Sequence, residues 1–122
     1  EMSEEAMEWL DSLIKGLGIS CAAGLWREDP VPDPYWVMEK SEDPPGSEDG
    51  LQECSILLTG TGKTLYRLEQ DRERIRRLHE SRGILGNGSG VALFYDGSIP
   101  VPVDQPNLQR LQVNLLMKEW RL

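Results

Sequence analysis

Proline decides where this chain cannot be helical. Eight prolines stand among 122 residues. Each fixes φ and removes a backbone donor, so none belongs inside a helix. Pro30, Pro32 and Pro34 alternate and hold residues 29–34 on an extended path, because the residue before a proline is itself pushed out of the helical region. Pro44 and Pro45 fall within an acidic stretch, 41–50, and mark it as a loop. Pro100 and Pro102 alternate with Ile99, Val101 and Val103. A proline cannot donate to a ladder, so 99–103 is an edge or a strap, never a central strand.

Helical periodicity is found only between these interruptions. Met7, Leu10, Ile14 and Leu17 recur at spacings of three and four, widened by Trp9 and Leu13. Ser3 can cap this helix, Glu4 and Glu5 suit the positive end of its dipole, and Gly16 and Gly18 end it. A second helix is predicted over 64–82, with Leu65, Leu68, Ile75 and Leu78 on one side and Glu69, Arg72, Glu73, Arg76 and Arg77 paired on the other.

The strands are read from alternation and β-branched or aromatic content. Residues 19–25 suit a short strand and 35–39 another. Residues 35–40 are expected to form a hairpin with 51–58 across the acidic tip. Residues 91–95 continue the set, followed by Asp96-Gly97, a tight-turn signal. Leu111, Val113, Leu115 and Met117 alternate with Gln112, Asn114, Leu116 and Lys118 in the cleanest strand of the chain, which places Trp120 on its opposite face, a candidate for packing at an edge or interface. Gly83, Gly86, Gly88 and Gly90 read as a flexible connector over 83–90. The expected fold is a single α+β domain over 1–122, a mostly antiparallel sheet of about four to five strands with two helices packed on one face.

One segment points elsewhere. An apolar run, Ile56-Leu57-Leu58, leads into Gly60-Thr61-Gly62-Lys63-Thr64 and then into a helix. That is the second half of a phosphate loop, in which backbone N–H groups curl around a phosphate and a Lys and a Thr add charge and a Mg²⁺ contact. The loop spacing requires a glycine at position 57, and Leu57 stands there. The doubly wound fold around such a loop also needs several parallel strands with crossover helices, for which the 58 residues after Thr64 leave too little chain. The expectation is a turn from strand to helix, with a nucleotide binder using Lys63 and Thr64 as the third-ranked alternative.

Composition narrows the function classes. The net charge is −8, which argues against a nucleic-acid binder, since that class needs surplus cations to displace counterions. Acid gathers at the N-terminus and over 39–53, and base on Arg67, Arg72, Arg74, Arg76, Arg77 and Arg82. No apolar run approaches the ~20 residues of a membrane span, and the acidic start is unlike a secretory signal. Cys21 and Cys54 read as reduced, small core residues, not a disulfide framework. His79, the single histidine, reads as an exposed residue near a helix end, and no zinc ligand set is visible. No nucleophile and base stand at a catalytic spacing. These readings predict a non-enzymatic protein with no catalytic, metal-binding or cofactor-binding residues.

In its order of elements the chain resembles the tail-terminator and tail-completion proteins of long-tailed bacteriophages, with the related minor capsid and head-tail joining proteins. The resemblance rests on the short first helix ending in Gly16-Leu17-Gly18, and on Gly24-Leu25-Trp26 running through prolines into Pro34-Tyr35-Trp36-Val37. It rests further on the strand Glu53-Cys54-Ser55-Ile56-Leu57-Leu58, the charged helix with Ile75 and Leu78, and the alternating strand over 110–119. It implies a homo-oligomeric ring, usually of six copies, that caps the tail tube and meets the capsid connector. Assembly would take place in the bacterial cytoplasm, with the ring ending in the virion tail. It implies no catalysis and no cofactor. The partners implied are the tail-tube and connector proteins, without nucleic acid or membrane. The alternative is a small interaction or regulatory module of bacterial or phage origin. The charge pattern suggests an assembly interface in which Glu42, Asp43, Glu48 and Asp49 of the acidic tip meet Arg72 and Arg76 of a neighbour's helix, with Trp120 at an edge.

Overall fold

A computed structural model of the chain describes residues 2–41 and 50–121. Two helices, α1 (Glu4–Lys15) and α2 (Leu65–Arg76), accompany six strands: β1 (Cys21–Ala23), β2 (Tyr35–Lys40), β3 (Gln52–Gly62), β4 (Ser81–Ile84), β5 (Ser89–Val101) and β6 (Gln109–Arg121). The strands form one sheet in the order β1-β2-β3-β6-β5-β4. Every neighbouring pair is antiparallel except β1 and β2, which are parallel. The class is α+β as expected, but the sheet is mixed and has six strands. The extra strand is β4, which occupies part of the glycine-rich stretch expected to be a flexible connector.

The alternation of β6 works as the sequence suggests. Leu111, Val113, Leu115 and Met117 are all buried and sit opposite Gly60, Leu58, Ile56 and Cys54 of β3. On the other side, Met117 and Leu115 face Leu93 and Tyr95 of β5. One face of the sheet is therefore continuous apolar surface, and Ala6, Leu10 and Ile14 of α1 and Leu68 and Ile75 of α2 close over it in a single core. Both helices start at good caps. Ser3 accepts from the Ala6 N–H at 3.2 Å, and Thr64 accepts from the Arg67 N–H at 3.4 Å. The start of α1 is tied to the sheet by Glu119, a buried carboxylate that accepts hydrogen bonds from the Ser3 N–H and hydroxyl.

Three tryptophans fill gaps left by glycines in strands. A Cβ built on Gly60 would lie 2.7 Å from the Trp36 ring, one on Gly83 2.8 Å from Trp9 Nε1, and one on Gly90 2.6 Å from the Trp120 ring. Glycine interrupts a strand's side-chain surface, and here each flat indole lies where the missing side chain would be.

Three boundaries differ from the sequence reading. The helix α2 ends at Arg76, and residues 77–80 turn the chain into β4, with Glu80 at φ 66. The Asp96-Gly97 pair is not a hairpin turn. Gly97 has φ 99, and the ladder register shifts between Tyr95 and Ser98, so the glycine supplies the backbone of a bulge inside one continuous strand. The hairpin of β2 with β3 exists, but its register runs from Tyr35 opposite Thr61 to Lys40 opposite Ile56. It thus lies further along β3 than the predicted 51–58.

Candidate assembly surface

The segment that resembles a phosphate loop is committed to the sheet. Gly60, Thr61 and Gly62 are the last residues of β3, all three paired with β6 and the first two also with β2. The Thr61 hydroxyl accepts from Arg110 Nε at 3.1 Å. Only Lys63 and Thr64 form the turn into α2. There the Lys63 N–H donates to the Asp33 carboxylate at 2.9 Å, and Arg67 reaches the Asp33 carbonyl oxygen at 3.4 Å. An Asp from the proline-rich segment thus occupies the place where a phosphate loop would present its amides to an anion. The flexible turn expected over 60–63 is a strand end, because tertiary pairing uses the amides that a loop would leave free.

The arginine-rich helix is largely self-neutralised. Arg72 and Arg76 both approach Glu73 Oε1, at 3.4 and 3.6 Å, and Arg74 lies 3.9 Å from Asp71. Arg76 stays exposed, whereas the buried Arg72 Nε has no partner among the described residues. Asp71 also accepts the indole N–H of Trp36 at 2.9 Å, which fixes α2 to the most deeply buried aromatic. Glu42, Asp43, Glu48 and Asp49 lie outside the described residues, so their proposed pairing with Arg72 and Arg76 has no geometry here. Trp120 is half-buried over Gly90 on the face of the sheet away from the helices.

That outer face carries its own polar and aromatic cluster. Phe94 lies between two cations, with Arg82 Cζ 5.9 Å and Lys118 Nζ 5.5 Å from its ring centre, and Lys118 also meets Glu53 at 3.7 Å. His79, expected to be merely exposed, has a definite task. Its Nδ1 accepts the Tyr95 N–H at 3.0 Å, just beyond the end of the β4–β5 ladder and where the β5–β6 register shifts.

The edges of the sheet are the least protected parts of the fold. The outer half of β5 beyond β4 is blunted by the bulge and by Pro100, both recognised devices against edge pairing. The strands β1 and β4 have neither. Beside them stand the two most exposed large apolar residues of the described chain, Leu25 at 64% and Ile84 at 77%. Along β1 runs a groove of about 290 Å³ lined by Cys21, Leu25, Trp26, Arg27 and Glu28 among others, and the buried Trp26 indole N–H has no partner among the described residues. The Cys21 thiol is pushed up to about 11, chiefly by burial and secondarily by the charge of Asp11. Among the described residues, no group of three or more His, Cys, Asp and Glu side chains is placed to hold a metal ion, and no helix is long and apolar enough to cross a membrane.

Among the described residues the fold is an α+β sheet with two unpaired borders and one face free of helices. No protein-family model matches the sequence, and no curated protein is similar to it. In three dimensions the chain is similar to a solved structure that carries no functional name, at 13% identity and a TM-score of 0.66, covering 100% of this chain and 99% of the other. At that identity the likeness speaks for the fold alone.

Proposed function

We propose that this chain is a structural assembly protein of the tail-terminator kind, whose copies join into a ring, six in number, that caps a phage tail tube and meets the capsid connector. The observation that carries this reading is the pair of short edge strands without bulge or proline, each beside a large exposed apolar side chain. A monomeric protein normally protects such edges, and a protein that lives in a ring covers them with its neighbours. The order of elements, including the alternating central β6, supports the reading through the resemblance of the sequence. On this reading the protein has no catalytic role, acts in the bacterial cytoplasm during assembly and remains in the virion tail.

Multi-angle light scattering at increasing concentration tests the reading. A species approaching six copies, alone or on addition of tail-tube protein, is expected. A monomer at every concentration, with and without that partner, would leave the chain as a small interaction module instead.

A further inference from the structure

We infer that copies join head to tail through a parallel pair of β1 of one molecule with β4 of the next, so that the sheet runs on across the interface. This inference rests on the assembly reading above and names the surface it uses.

Strand direction makes the argument. Following the pairings across the sheet, β4 is antiparallel to β5, β5 to β6, β6 to β3 and β3 to β2, and β1 is parallel to β2. Both edge strands therefore run the same way. Identical copies set side by side in one orientation place β1 parallel to the neighbour's β4, with the helix-covered face always on the same side. Such a contact is heterologous, so it repeats from copy to copy, and it closes as a ring when the rotation per copy divides a full turn. Pairing like edges would be antiparallel and would stop at two copies.

The free backbone groups agree with a parallel pair. Ser20 O and the Gly24 N–H are used on β2, so the alternating residues Cys21 and Ala23 aim their amides at the open side. On β4 the Leu85 N–H bonds Ser89 O, which turns the amides of Arg82 and Ile84 outward. A parallel ladder sets a residue of one strand between two outward-facing residues of the other, here Cys21 between Arg82 and Ile84, opposite Gly83. Cys21 and Gly83 both belong to the core-facing side, opposite Trp36 and Val91, and Ala22 and Ile84 both belong to the outer side. No face is inverted. Ile84 thereby reaches the groove beside Leu25 and Trp26.

The test is a cross-link in a Cys21→Ala background. Ala22→Cys and Ile84→Cys are made singly and together and treated with a short bifunctional maleimide. The double variant is expected to give a ladder of covalent oligomers, each single variant alone to give none, and a mixture of the two single variants to give dimers only. Ile84→Lys, a change at a residue 77% exposed that leaves the monomer folded, is expected to weaken association about tenfold or more. Linking by Ala22→Cys alone or by Ile84→Cys alone would mean that like edges pair and would overturn the inference. An oligomer by light scattering with no link in the double variant would overturn the inference and leave the ring reading standing. A monomer throughout would remove that reading, and this inference with it.

Discussion

Trp36 is wholly buried, yet its indole N–H is not wasted, because Asp71 accepts it at 2.9 Å. The ring is thereby held from one side by α2 and lies flat on Gly60 on the other. A methyl group at Gly60 would stand 2.7 Å from this ring, and neither the ring nor the strand can retreat. Gly60→Ala should therefore lose about 1–3 kcal/mol, read as a lower midpoint in urea. Gly90→Ala meets Trp120 at a similar distance, but that ring is half-buried and can swing toward solvent, so its cost should be smaller. Equal losses would contradict this account of the two glycines. Cys21 gives a prediction in pH. Its thiol ionises at about 11 when folded, against an ordinary value of 9.0. The unfolded chain thus loses its proton first, and the stability from the neutral folded thiol is whole below about pH 9 and declines as pH rises toward 11. Urea midpoints measured across that window should fall less steeply in Cys21→Ser, and an identical slope would remove the thiol as the cause. A single sequence shows that Trp36 sits in an apolar strand. It does not show the partner, because Asp71 lies on the hydrophilic helix and looks like any other solvent-facing acid.

At the junction of β3 and α2 the decisive residue lies far away in sequence. The first turn of α2 has no acidic residue of its own. Thr64 accepts from the Arg67 N–H of the first turn, and the carboxylate of Asp33 accepts from the Lys63 N–H just before the cap, beside the positive end of the helix. Asp33→Ala and Thr64→Ala should each cost about 0.5–2 kcal/mol and speed amide exchange at Lys63 and Arg67. With that carboxylate in place, millimolar ATP with Mg²⁺ should leave the melting temperature unchanged, and a shift abolished by Lys63→Ala would refute the structural account of this segment. How much was legible follows from where each signal is stored. The apolar stripe of α1 and the alternation of β6 carry their fold locally, and both were readable with their caps. The strand β4 was not, because Ser81-Arg82-Gly83-Ile84 has little strand preference of its own and becomes a strand by pairing with β5 and by the cover of Trp9. The helix α2 was read too long for the same reason. Its charged pattern continues past Arg76, while the turn at Glu80 and the bond of His79 to Tyr95 draw the chain into the sheet. The sheet edges on which the proposed assembly rests were not visible. Arginines and Trp120 stood out in the sequence, but edges exist only once strands are ordered in space.

Taken as a whole, the molecule places its last strand at its centre. The strand β6 is paired along nearly its full length with β3 on one side and with β5 on the other, and its Leu111, Val113, Leu115 and Met117 form the middle of the core. Without it the rest falls into two pieces. Strands β1, β2 and β3 would keep α2 through Trp36 and Asp71 but lose the strand beside β3, and β4 and β5 would be a two-stranded ribbon, which is marginal in water at best. Glu119 would also be gone, and with it the acceptor that anchors the start of α1. A chain ending at Leu108 should accordingly have no cooperative unfolding transition and a collapsed, poorly dispersed amide spectrum. Adding residues 109–121 as a separate peptide should restore dispersion, because the long-range pairings they make are the ones that join both halves of the sheet. A cooperative transition in the truncated chain alone would mean that one half folds independently, and the central place of β6 would then not be what holds this sheet together.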